Sequence, residues 1–330
     1  MNDLLDILDK EEKQRIKNFK VEINRNIEDI ISFFETAVEQ NECYHYQEWN
    51  NAVKKSNLNY SASDLSCLPI FMQSYLERCN YHVGIFLSVL VNNCKDDDIS
   101  INIPQTPINH FAVCNTKNLT VVGNVGEFFC MSMVSGNVKL IGNAGEYFGQ
   151  DFNGGEILVQ GDVGFSCASY MKSGKIIVNG NCDGCVGRNM HDGTLIVNGN
   201  VSSQLGYEMS NGKIIIEGNA KDQVGERMHN GSIVVKGNAL DEIGKNMWGG
   251  KITILGNAGY EVGIGMCGGQ DSKIFLGGNF GSISGLTNKE WSYWRGKIYH
   301  KNKLIFKDGN PVIPNYLNLY KKYEWYTLKK

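Results

Sequence analysis

Proline is scarce in this chain. Only five occur among 330 residues, and none lies between residues 108 and 310. Together with 38 glycines, that scarcity excludes a collagen-type chain, which needs both residues. Long apolar runs are also missing. The longest, Val83–Val91, is interrupted by Gly84 and Ser88 and is about half of the roughly 18 residues a membrane span needs. Neither charge sign dominates, and a net charge of −3 is ordinary for a soluble globular protein. The first residues, MNDLLDILDKEEK, are acidic and amphipathic, unlike an export signal. On that ground the ten cysteines are expected to be reduced thiols and the protein cytoplasmic, with no membrane association.

Composition divides the chain into three. Residues 1–100 carry one glycine and a net charge of −7, residues 101–290 carry 35 glycines, and residues 291–330 carry two glycines and a net charge of +7. The first part reads as an all-helical domain. Leu4, Leu5, Ile7 and Leu8 form one apolar stripe, and Ile27, Ile30, Ile31, Phe34 and Ala37 form another. Residues 44–56 predict a third helix around Trp49, Ala52 and Val53. Ser61 or Ser63 is placed to cap a fourth, with Pro69 expected to kink it or delay its start. His82–Asn93 predicts a buried fifth, and the charge run Lys95–Asp98 suits a linker.

The middle is a repeat of nineteen. Glycine followed by Asn or Asp recurs at Gly123, Gly142, Gly161, Gly180, Gly199, Gly218, Gly237 and Gly256 at constant intervals. Gly278 follows after 22 residues, which places a three-residue insertion near Gln270–Lys273. Thirteen residues after each first glycine stands another, from Gly136 to Gly269. Seven residues after each first glycine stands a third column, mostly glycine from Gly149 to Gly285, with Cys130 and Ala168 in its place twice. Each unit then carries a β-branched run such as Lys213-Ile214-Ile215-Ile216. One apolar column runs from Phe129 to Val262, and a second holds Met133, Phe152, Met171, Met190, Met209, Met228, Met247 and Met266.

A unit this short cannot bury a core alone, but stacked copies bury continuous ladders. The pattern predicts a mainly β protein: a single-stranded, right-handed parallel β-helix of about nine coils over 101–290, roughly 40 Å long at about 4.8 Å per coil. Glycine columns mark corners, and the Asn column from Asn124 to Asn279, with Asp162 once, predicts an amide ladder. Residues 291–330 are basic and aromatic, with Trp291, Tyr293, Trp294, Lys321, Lys322, Trp325, Lys329 and Lys330. They are read as a cap on the open end, with Lys303–Lys307 and Asp308-Gly309 forming a hairpin. The helical domain is placed to cap the other end.

The unit Gly218-Asn219-Ala220-Lys221-Asp222-Gln223-Val224-Gly225-Glu226-Arg227-Met228-His229-Asn230-Gly231 resembles the GXGXG domain. That domain ends the large subunit of glutamate synthase, and formylmethanofuran dehydrogenase contains a similar one. The resemblance covers about residues 101–290. It implies a right-handed β-helix that braces catalytic domains carried elsewhere, so no catalytic residue carries over to this chain.

Four features invite a chemical reading, and the columns answer each. Cys182 and Cys185 have CxxC spacing, but Cys182 falls in a small inward column and Cys185 in a mixed outward one, so their side chains should diverge. His191 and His229 share a column two coils apart, roughly 10 Å, too far for one metal ion. Asp222, Asp241, Glu242 and Glu261 cluster on one edge, while Arg188, Arg227 and Lys245 alternate with Glu208 and Glu226 on another. Mixed signs and uniformly short loops read as a solvated face rather than a substrate groove. Lysines interleaved with aromatics in the tail suit single-stranded nucleic acid, but the cap reading is preferred. No catalytic, cofactor-binding or metal site is therefore expected.

The expected function is a scaffold that docks or spaces a partner, either a glutamate synthase-like or amidotransferase-type enzyme or another copy of the chain. The alternative is an enzyme acting on a carbohydrate or small amino compound at a face of the helix. Residues 1–100 are expected to mediate association, and deletion of residues 1–95 to leave a soluble rod.

Overall fold

The computed structural model describes residues 25–39, 45–267, 271–283, 295–308 and 310–312. The expected helix over Leu4–Leu8 lies outside them, as do Gly269, Gly285, Trp291, Tyr293, Trp294 and the tail lysines 321, 322, 329 and 330. Four helices are described: α1 (Arg25–Glu39), α2 (Tyr46–Lys55), α3 (Ala62–Phe71) and α4 (Gln73–Asn93). No described helix is long and apolar enough to cross a membrane.

Strands follow once per coil: β1 (Asp98–Asn102), β2 (Asn118–Val122), β3 (Asn137–Ile141), β4 (Glu156–Val159), β5 (Lys175–Val178) and β6 (Thr194–Val197). Beyond them come β7 (Lys213–Ile216), β8 (Ser232–Val235), β9 (Lys251–Ile254), β10 (Lys273–Leu276), β11 (Lys297–His300), β12 (Lys303–Lys307) and β13 (Asn310–Pro311). All thirteen form one sheet in sequence order, parallel from β1 to β11. The chain is thus the expected mainly β solenoid of about nine turns with a helical N-terminal region. The register steps by nineteen residues from β2 to β9 and by 22 from β9 to β10, where Lys251 pairs with Lys273.

Within a coil, the inward members of the strand are joined by three more buried columns. A small one runs Val125, Ala144, Val163, Cys182, Val201, Ala220 through isolated parallel bridges. The Phe129–Val262 column and the Met column complete the core: Met171, Met190, Met209, Met228, Met247 and Met266 are all fully buried. Asn Oδ1 atoms accept the backbone N–H of the next coil's Asn along an unbroken ladder, for example Asn219 N–H to Asn200 Oδ1 at 2.9 Å and Asn238 N–H to Asn219 Oδ1 at 2.8 Å.

One side of the coil differs from the expected pattern of glycine corners. In the Gly218 unit, Gln223, Gly225 and Arg227 all have left-handed φ, at 64°, 69° and 54°. Their N–H groups point alternately along the rod: Gln223 donates forward to Asp241 O, Gly225 back to Leu205 O, and Arg227 forward to Lys245 O, at 2.9, 2.7 and 2.8 Å. The residue after this stretch donates locally instead, Met228 N–H to Gly225 O. Only the middle position is glycine for want of space. A Cβ at Gly206 would sit 2.5 Å from Ile233 Cδ1, so the backbone there forms the floor on which the strand isoleucines pack. The flanking left-handed positions point outward and accept Glu208 or Arg227 despite the cost.

Gly212 is a true corner, with φ +94° and a Cβ that would lie 2.9 Å from Gly193 O and 3.0 Å from Met190 Cε. Gly212→Val is therefore expected to cost about 3 kcal/mol or more, since a β-branched residue resists this φ. A denaturant midpoint equal to wild type would show the corner to be elsewhere.

The helices close the first coil. Asp64 accepts from Ser61 N–H and Ser61 Oγ, both at 2.9 Å, which makes Ser61 the cap of α3 and leaves Ser63 inside it. Pro69 neither delays nor breaks α3; the chain turns only at Met72, and α4 carries its own kink at Cys79. Along α4, Asn80, Gly84, Ser88 and Asn92 recur every four residues and therefore face one side. That side meets the first coil. Asn109 N–H donates to Asn80 Oδ1 (2.7 Å), Val113 N–H to Ser88 Oγ (3.1 Å) and Thr116 N–H to Asn92 Oδ1 (2.9 Å). Helix and coil residues share one continuous buried cluster.

At the far end β11 adds in parallel to β10, and the chain reverses at Lys301 and Asn302, whose φ values of 47° and 63° suit a two-residue hairpin. β12 and β13 then pair as the expected second hairpin, Lys307 opposite Asn310. Pro311 on the last strand blunts the edge.

Candidate functional site

The acidic edge forms an open concavity. Ser203, Asp222, Gln223, Asp241, Glu242, Tyr260, Glu261 and Ser282 line an open groove of about 560 Å³. All come from two adjacent columns of successive coils, so the sequence cluster is brought together as read. Three of its four carboxylates are engaged with the rod itself. Asp222 Oδ1 accepts Asp241 N–H at 3.1 Å, and Asp241 Oδ1 accepts Tyr260 N–H at 2.7 Å, repeating the asparagine ladder with a different side chain. Glu242 accepts from Lys245 Nζ (2.9 Å) and Gln223 Nε2 (2.8 Å). The lysine bond first, then the amide bond, holds its carboxyl below the usual range. Glu242 is thus an ionised, paired carboxylate, the opposite of a general acid kept protonated for catalysis.

The neighbouring face carries the alternating charges. Arg188 and Arg227 lie on either side of the Tyr207 ring, 5.5 and 5.8 Å from its centroid. Arg227 also bonds the Tyr207 hydroxyl (2.8 Å) and Glu208 (3.3 Å). These are contacts between adjacent rungs on an exposed face, where such pairs add little to stability.

The two cysteines diverge in their partners. Cys182 is hydrogen-bonded to Cys167, and that bond first, then burial, raises its thiol well above the ordinary value. Cys185 donates to Gln204 Oε1 at 3.0 Å, and burial pushes its thiol up as well. The expected outward exposure of Cys185 is corrected, for it is 4% exposed. The outward column is closed over at this rung by the Gln204 side chain. A raised thiol is a poor nucleophile and ligand at neutral pH. The nine described cysteines are free thiols.

His191 and His229 are not brought together; His229 instead stacks on exposed Trp248, 6.1 Å between centroids and 16° between planes. Among the described residues no three His, Cys, Asp or Glu side chains gather closely enough to hold a metal ion. In the tail, the Tyr299 ring lies flat on Phe275 at 4.6 Å, so this aromatic packs on the solenoid sheet.

No curated protein matches this chain. A family model described as the GXGXG motif matches residues 156–291, the coils from β4 to β10.

Proposed function

We propose that the chain is a non-catalytic scaffold that docks or spaces a partner enzyme, as the GXGXG domain of glutamate synthase-like proteins is placed to do. The observation that carries this reading is the use made of the polar side chains on the groove. Asp222, Asp241 and Glu242 are bonded to the next coil or to Lys245, and the coils stay nineteen residues long from β2 to β9, so between those strands no loop rises to wall off a substrate. A rigid rod is suited to setting a distance. The partner this reading names is an amidotransferase-type or flavin-dependent enzyme.

The test is capture of the native complex by affinity tag and mass spectrometry. An enzyme of that type is expected at stoichiometric yield. Glycosidase, lyase or amidohydrolase turnover by the purified chain, abolished in Asp241→Asn with the fold intact, would favour the enzymatic alternative instead.

A further inference from the structure

The strands are apolar on both faces, although the described structure covers only one. In Lys175-Ile176-Ile177-Val178, Ile176 and Val178 point into the core, and Ile177 points out. The register places Leu158, Ile177, Ile196, Ile215, Val234 and Thr253 directly beside one another on the outer face, where each is half-buried only by its neighbours in the row. Phe275 and Tyr299 continue the ridge. Strands that read as continuous hydrophobic runs are those of sheets buried on both sides. The same column supplies an internal contrast, since in the first three coils it holds Ser100, Thr120 and Lys139. The repeat therefore does not require an apolar residue there.

We propose that the outer face of β4–β11 is the interface with a second copy of the chain, the two sheets packed face to face and the rods parallel. Three observations select this occupant. Its side chains recur at about 4.8 Å, a spacing matched along its whole length by another sheet of the same repeat. Its flanks differ in charge. Glu156, Lys175, Lys213, Lys251, Lys273 and Lys297 stand on one side, and Asn179, Asn198, Glu217 and Lys236 on the other, with Glu217 and Lys236 ion-paired within the chain at 2.7 Å. A two-fold axis along the rod sets Lys213 against the partner's Glu217 and each Ile of the ridge against its own copy, whereas antiparallel rods would set lysine on lysine. The basic tail, net +7 over residues 291–330, is disfavoured as a cover by the same lysines. Finally, eight strands present a face of roughly 34 by 16 Å, so two copies bury roughly 1,100 Å², the least a specific interface needs. The inference does not depend on the scaffold reading, because a catalytic rod would dimerise in the same way.

Light scattering on the full chain at micromolar concentration is expected to give twice the 36.8 kDa chain mass. Ile196→Lys combined with Ile215→Lys should halve it while leaving the circular dichroism spectrum unchanged, because both side chains point outward. Ile177→Cys should cross-link to its own copy on oxidation. A monomeric wild type overturns the proposal and leaves the face to a different partner, as does a double-lysine variant that stays dimeric. A dimer whose Ile177→Cys variant does not cross-link overturns the parallel arrangement. Enzyme capture by the double-lysine variant reports separately on the scaffold reading.

Discussion

Met209→Asp is expected to abolish folding or leave only insoluble protein. Met209 is fully buried, with Met190 and Met228 in the coils on either side, and its Cε lies where a Cβ on Gly231 would be 2.9 Å away. Two costs add. Losing the thioether chain from a packed site forfeits about 2–3 kcal/mol. An aspartate there has no polar side chain to pair with, because the column is methionine or phenylalanine from Met133 to Met266. It must either stay charged in a dry core or take up a proton, each costing several kcal/mol. The sum exceeds about 5 kcal/mol, comparable to the whole stability of an ordinary domain. Met209→Leu keeps volume and polarity and should cost less than about 1.5 kcal/mol. Chemical denaturation of the two variants decides the matter. If the aspartate variant were soluble and melted like wild type, the methionine column would not be the core.

The repeat was legible because it is a one-dimensional object. Every coil solves the same packing problem, so the interval of nineteen, the insertion before Lys273 and the inward Phe, Val and Met columns all appear as aligned letters. What alignment could not convey is backbone direction. Left-handed φ at Gln223 and Arg227 leaves no mark in residue type, because those side chains point to water and the strain is offset by bonds between coils. Column membership alone also left Cys185 exposed, since it says nothing of the neighbouring Gln204 that closes over it. Two features did leave a signal. The four-residue spacing of Asn80, Gly84, Ser88 and Asn92 marks a helix face that must meet polar backbone. The apolar outer position of the strands marks a sheet that is apolar on both faces. Each becomes meaningful only when the structure shows which surface it faces.

Deleting residues 1–95 is expected to yield aggregated protein rather than the soluble rod that the composition suggests. The helical segment contributes to the first coil in two ways, and their magnitudes differ. Its side chains receive the N–H groups of Asn109, Val113 and Thr116. Those groups would be re-solvated after truncation, so each bond costs only about 1 kcal/mol. Apolar exposure weighs more. Ile108, Phe111 and Val113 in the first coil are buried within the cluster shared with Phe86, Val89 and Leu90 of the helical region. Removing α4 would bare that surface beside an unpaired coil edge, the condition that capping segments of solenoids exist to prevent. A single substitution should reproduce part of the effect. A Cβ at Gly84 would overlap the Asn109 carbonyl oxygen, so Gly84→Val has to lift α4 from the coil while leaving the helix's own sequence otherwise intact. Hydrogen exchange in Gly84→Val is expected to lose protection first at Asn109, Val113 and Thr116, with the coils beyond β4 unaffected. A truncated chain that stayed soluble and monomeric with a cooperative melt would show the first coil to be self-sufficient, and the helices would then be free for the association role their apolar content first suggested.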